Sequence, residues 1–154
     1  MRLHKRTFER LREIAMSSVE RQKKARKAAE LICAERDFHW VGLYDVTPTE
    51  ISAIAWTGAN TPAFPRFPKN QGLNGAAVRE GRDVIVQDVT KDSRYLTTFG
   101  STRAEAIFIV ATTAKQTVGT IDVESEQINA FTAEDEDFLR NCADALRPLW
   151  LPAT

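Results

Sequence analysis

The stretch Val118-Gly-Thr-Ile-Asp-Val-Glu-Ser125 alternates in character residue by residue, and side chains two apart on a β-strand point the same way. Asp122 and Glu124 therefore share one face of a strand, with Ile121 and Val123 on the other. A strand this apolar, followed by an amphipathic helix, belongs near the middle of a sheet. The two carboxylates on its second face then need water or a cationic, hydrogen-bonding partner, because a buried unpaired charge costs several kcal/mol. A pocket for a small ligand supplies both. A solvated sheet face is the plain alternative.

The 154 residues fit one domain, and 43% hydrophobic with 27% charged residues describes a soluble globular chain. No apolar run approaches the roughly 20 residues that cross a bilayer, and the N-terminus lacks the apolar block of a signal peptide. A cytoplasmic protein without membrane contact is the expectation. Cys33 and Cys142 fall among apolar helix residues with no C-x-x-C, and read as small buried thiols. His4 and His39 have no metal-ligand neighbours at useful spacing, so no metal site is expected. Residues 1–36 carry 11 Lys/Arg against 5 Asp/Glu, whereas residues 37–154 carry 10 against 16. The basic cluster Arg21, Lys23, Lys24, Arg26 and Lys27 lacks any stacking-aromatic or recognition-helix signature. It reads as a solvated helix face or a contact for an acidic surface, and nucleic acid is not expected as a partner.

Along the chain, a helix runs from about Arg2 to Arg36, with a break expected near Ser17-Ser18. Its apolar stripe from Phe8 to Val19 exceeds what one small domain would cover, which predicts a homodimer through terminal helices. His39 to Val46 alternates as a strand, with Trp40 and Tyr44 on one face and Val41 and Leu43 on the other; Ile51 to Thr57 returns as the second arm of a hairpin. Pro62, Pro65 and Pro68 exclude both helix and central strand from the next loop and favour an extended wall. A short helix over residues 72–81 capped by Gly81, a strand over 83–87, a long polar loop and an apolar strand over 105–113 follow. Thr132 caps the last helix with Asp135 three residues on, and Phe138, Leu139, Cys142, Leu146 and Leu149 form its buried stripe. The sum is an α+β chain: an antiparallel sheet with helices gathered on one side.

The order of elements, Gly72-Leu-Asn-Gly75, Val118-Gly-Thr-Ile-Asp122 and Phe131-Thr-Ala-Glu-Asp135-Glu136 together resemble a GAF domain over about residues 20 to 150. The resemblance implies a PAS-related antiparallel sheet of about five to six strands, terminal helices packed on one face, and a loop-covered small-molecule pocket on the other. It divides the chain into an N-terminal helical extension, residues 1–19, and the GAF domain, residues 20–154. Within the family, Trp40-Val-Gly-Leu-Tyr44, Arg66, Pro68, Gly72, Gly75, Arg103-Ala-Glu105 and Asp122-Val-Glu124-Ser are most similar to the free methionine-(R)-sulfoxide reductases. In that group the residues matching Trp40, Tyr44, Glu105, Asp122 and Glu124 line the substrate pocket. The group's three cysteine positions, however, fall on Phe64, Asn74 and Thr98. Sulfoxide reduction requires a thiolate to attack and a second thiol to resolve. Neither a bilin-attaching cysteine nor a haem histidine sits where the family would need it, so no cofactor is expected.

Three functions remain in view. The first is a non-enzymatic sensory or regulatory module, signalling from a pocket built of Trp40, Tyr44, Asn74, Glu105, Asp122 and Glu124, whose carboxylates suit an amine-bearing small molecule. The second is a reductase-like enzyme or its degenerate, inactive relative, or chemistry run by the carboxylates themselves. The third is an interaction module assembling through the basic helix.

Overall fold

The computed structural model of the chain describes residues 4–151; Arg2 at the expected start of the first helix and Pro152 lie outside them. Six strands form one antiparallel sheet: β1 (Trp40–Val46), β2 (Glu50–Trp56), β3 (Arg66–Pro68), β4 (Val84–Val86), β5 (Ala104–Ala111) and β6 (Thr117–Ser125). Their spatial order is β3-β2-β1-β6-β5-β4, so β6 is central, as its composition requires. The described residues also form four α-helices: α1 (Lys5–Met16), α2 (Arg21–Arg36), α3 (Gly72–Glu80) and α4 (Ala133–Ala145).

The N-terminal helix is broken at Ser17-Ser18. Ser17 turns its N–H and hydroxyl back to the Ile14 carbonyl, and the Lys24 ammonium donates to the carbonyls of Ala15 and Ser17. A lysine from the next helix thus neutralises the C-terminal end of α1, where helix carbonyls lack partners. Arg21 has an internal role too: its guanidinium forks onto Asp45 of β1 at 2.7 Å on both oxygens, and its Nε donates to the Leu149 carbonyl. Of the basic cluster, these two cations are structural.

Helices α1, α2 and α4 cover one sheet face. The inward residues of β1, β5 and β6 (Val41, Leu43, Ala106, Phe108, Ile121, Val123) meet Leu11, Ile32, Phe138 and Leu139 in one buried cluster. Ala25, Ala28 and Ala29 lie fully buried on α2, and their short side chains let that helix approach the sheet closely. The capping box holds as read: Thr132 accepts from the Asp135 N–H, and Asp135 accepts from the Thr132 N–H. Asp135 also binds Arg36 at the end of α2 through a 2.7 Å ion pair, which locks the two helices at one corner.

Two expectations change. The apolar stripe of α1 does not outrun the domain: Leu11, Ile14 and Ala15 are buried in the main core, and only Met16 and Val19 stand exposed. The helices are not all on one side either. Leu73 and Ala77 of α3 pack on Val84, Ile107 and Ile109, which point away from the other helices. The proline loop is extended as expected and supplies the sixth strand, within the five to six anticipated. β3 pairs Arg66 with Ser52 and Pro68 with Glu50 at the sheet edge, where a missing proline N–H removes nothing from the ladder.

Candidate functional site

The second sheet face is where register, rather than any single motif, assembles a site. Thr120, Asp122 and Glu124 of β6 all point to it, each at most 1% exposed. Across β5, Glu105 pairs directly with Glu124; across β1, Trp40 pairs with Glu124, Gly42 with Asp122 and Tyr44 with Thr120. Directly opposed residues have neighbouring side chains, so the ladder stacks three acids beneath two aromatic rings. Gly42 makes room for this: a Cβ there would lie 2.4 Å from Trp40 and 3.0 Å from Tyr44. Trp40 is held from the far side by Phe99, edge to face, and Tyr44 by Phe67.

Polar neighbours fix one oxygen of two of the acids. The Asn74 amide of α3 donates to Asp122 Oδ2 at 3.1 Å and accepts from the Thr120 hydroxyl at 2.6 Å. The Thr102 hydroxyl donates to Glu124 Oε1 at 2.8 Å. Asn74 reaches the sheet because α3 lies tight against the preceding loop, where a Cβ on Gly75 would strike the Asn70 backbone at 2.7 Å. Glu105 Oε2, Asp122 Oδ1 and Glu124 Oε2 meet no donor group, and Trp40 Nε1 meets no acceptor; only a proton on Glu105 itself would bridge it to Asp122.

One oxygen from each acid lies within 4.8 Å of the other two. Burial raises the pKa of all three acids, since a carboxylate is poorly solvated there. Burial lifts Glu105 well above the usual carboxylate range, and the charges of Asp122 and Glu124 add to it. Asp122 rises to about 7 by burial, against the hydrogen bonds that favour its anion. Glu124 rises to about 8, again by burial first and then by Asp122. Tyr44 is pushed well up by burial and by the same three acids. Among the described residues, no cationic side chain contributes to any of these shifts. The site therefore cannot hold three negative charges by itself near neutral pH.

All six residues singled out in the sequence (Trp40, Tyr44, Asn74, Glu105, Asp122, Glu124) are buried on this face. Around Tyr44, Asn74, Glu105 and Asp122 the cavity itself measures only about 10 Å³; Trp40 and Glu124, in the ladder row of Glu105, are outside its lining. Phe64, Asn74 and Thr98 line the same cavity, so the three positions where the resemblance would place thiols do converge, and none is a thiol. Cys33 and Cys142 belong to the helix-covered core. The sequence reading missed Thr120, Thr102 and Phe67. Thr120 was legible, being two residues before Asp122; Thr102 and Phe67 sit in or beside irregular loops without a periodic signal. A larger hollow of about 520 Å³ between α2 and β2, lined by Lys23, Lys27, Ala55 and Trp56, contains none of the strained acids.

Comparison with known proteins agrees with this architecture. A sequence model described as GAF domain matches residues 24–147. The chain is 30% identical over 105 residues to GAF domain-containing protein A of Dictyostelium discoideum, across 67% of this chain and 64% of that protein, so it spans less than two thirds of that relative's length. Its structure is similar to that of the type II free methionine-R-sulfoxide reductase of Thermoplasma acidophilum, with TM-score 0.78, 27% identity, and coverage of 90% of this chain and 94% of that one. The GAF domain of an Acinetobacter phosphoenolpyruvate-protein phosphotransferase shares the fold, with TM-score 0.82 at 16% identity over 95% of this chain and 91% of that one.

Proposed function

Since the chain belongs to the GAF domain family, we propose that it acts as a sensory or regulatory module that binds a small, amine-bearing molecule at the acidic face. One observation carries the reading: three buried carboxylates each present an oxygen that meets no donor group, with no cation among the described residues beside them. A ligand ammonium would supply both charge and donors, and charge-assisted hydrogen bonds are the strong ones. Trp40 and Tyr44 offer flat apolar walls for the rest of such a molecule. Because the closed cavity is about 10 Å³, entry requires the two covering loops to part. The backbone contact between them, Ala63 N–H to the Thr98 carbonyl, is long at 3.4 Å.

The reductase reading has one observation in its favour, the 27% identity to the Thermoplasma enzyme. Phe64, Asn74 and Thr98 speak against it, because a phenyl ring, an amide and a secondary hydroxyl donate no electron pair to a sulfoxide sulfur. Two measurements separate the readings. Native mass spectrometry and thermal shift with free amino acids and small amines should show a retained or stabilising ligand. Methionine sulfoxide incubated with the protein and a thiol reductant should not be consumed. Consumption that persists in a Cys33→Ser, Cys142→Ser variant would exclude the non-enzymatic reading.

A further inference from the structure

We propose that Glu105, Asp122 and Glu124 form a site for one hard divalent cation, of the manganese, magnesium or calcium class. Divalent cations bind oxygen ligands at about 2.0–2.6 Å, so two ligands of one ion lie at most about twice that distance apart. The three carboxylates, with one oxygen each inside 4.8 Å of the others, fall within that limit for calcium-length bonds, and the shorter bonds of manganese or magnesium need the oxygens to close by a few tenths of an ångström.

Independent features point the same way. Each acid is at least nine-tenths buried and carries an oxygen that no donor satisfies. Asn74 and Thr102 hold the other oxygens of Asp122 and Glu124, leaving the unpartnered ones available, as outer hydrogen bonds do in metal centres. Beside Glu105 and Asp122 lies a cavity of about 10 Å³, the scale of a single water. It can take an ion's remaining water ligand, but an amino acid only after the loops open. The donor set is all oxygen, which selects hard cations over zinc or copper. For all three acids to ionise together the site needs a counter-charge that no cation among the described residues supplies, and a divalent ion offsets two of the three charges.

The inference goes beyond the sensory reading, since it requires no organic ligand; an ammonium group and the metal would compete for the same three acids. The test uses the full chain, stripped with chelator and titrated at pH 8 with Mn²⁺ alone. Electron paramagnetic resonance counts bound ion, and melting reports stabilisation. One Mn²⁺ per chain with a raised melting temperature is expected, weakened at least tenfold in Asp122→Asn and in Glu105→Gln. Both variants remove a repelled charge and keep the side-chain shape, so melting of the metal-free variants verifies that they fold. Absence of bound Mn²⁺ at millimolar concentration would overturn the proposal, and so would binding unchanged in both variants, which would place the ion on surface carboxylates. If small amines stabilise the protein and Mn²⁺ does not, the metal site fails and the sensory reading stands; the reverse result removes the amine and keeps the metal.

Discussion

On the helix-covered face of the sheet, Leu43, Phe108, Ile121 and Leu139 interlock with buried side chains of α1, α2 and α4, and the polar groups at its border are paired. On the other face the same strands send Glu105, Asp122 and Glu124 into an equally dry space and leave an oxygen of each unpartnered. The two faces differ by one residue of phase along β5 and β6. The first carries the fold's stability; the second draws on it, because three acids are desolvated there with no cation to compensate. Local conflict of this kind is expected at functional sites rather than in scaffolds.

If that division is right, damage to the helix face should be the most severe. Removing residues 1–19 uncovers the side of the core that Leu11 and Ile14 seal. At roughly 1.5–3 kcal/mol per large apolar side chain, a loss above about 3 kcal/mol is expected in urea unfolding. A truncated protein as stable as the full chain would mean that α1 is an appendage, as the sequence division at residue 19 had it. The same experiment bears on assembly. A homodimer through the terminal helices now has only Met16 and Val19 of the stripe to offer, and light scattering of the intact chain decides it.

The acidic face should announce itself through pH. A carboxyl whose folded pKa is raised binds its proton more tightly folded than unfolded, so it contributes most below the unfolded pKa and loses that contribution as pH rises. With Asp122 at about 7 and Glu124 at about 8, the ligand-free, metal-free domain should lose stability between about pH 4 and pH 8. The slope is about 1.4 kcal/mol per pH unit for each proton. A melting temperature that climbs across this range would show the acids to be paired or solvated.

A smaller effect separates the faces sterically. Trp150 lies flat over Gly119 and donates its indole N–H to the Tyr44 carbonyl; a Cβ at Gly119 would come within 2.2 Å of that ring. Gly119→Ala should cost about 1–3 kcal/mol by overpacking without changing the pH slope. A changed slope would mean that strain crosses the sheet. The smallest change is Asp122→Asn. The new amide can still accept from Asn74 and can donate toward Glu105, so the ligand-free variant should be as stable as the wild type or about 1 kcal/mol more so. A drop of 2 kcal/mol or more would mark Asp122 as a satisfied core acceptor and end the acidic-pocket reading.

Alternation along β6, the Thr132–Asp135 capping box, the Gly81 cap and the facing of Trp40 and Tyr44 were all legible in the sequence. Each is set by the backbone geometry of one element, which repeats every 2 or 3.6 residues whatever surrounds it. Three things were not legible. α3 crosses to the far face although its residues 72–80 show no strong stripe; Glu105 comes opposite Glu124 only through the β5–β6 register; and the cavity closes to about 10 Å³ because Phe67, Leu73 and Leu96 from separate segments meet over it. Periodicity assigned each side chain a face. Which faces meet, and how much space stays between them, was decided by packing among residues distant in sequence, where no local pattern carries the information.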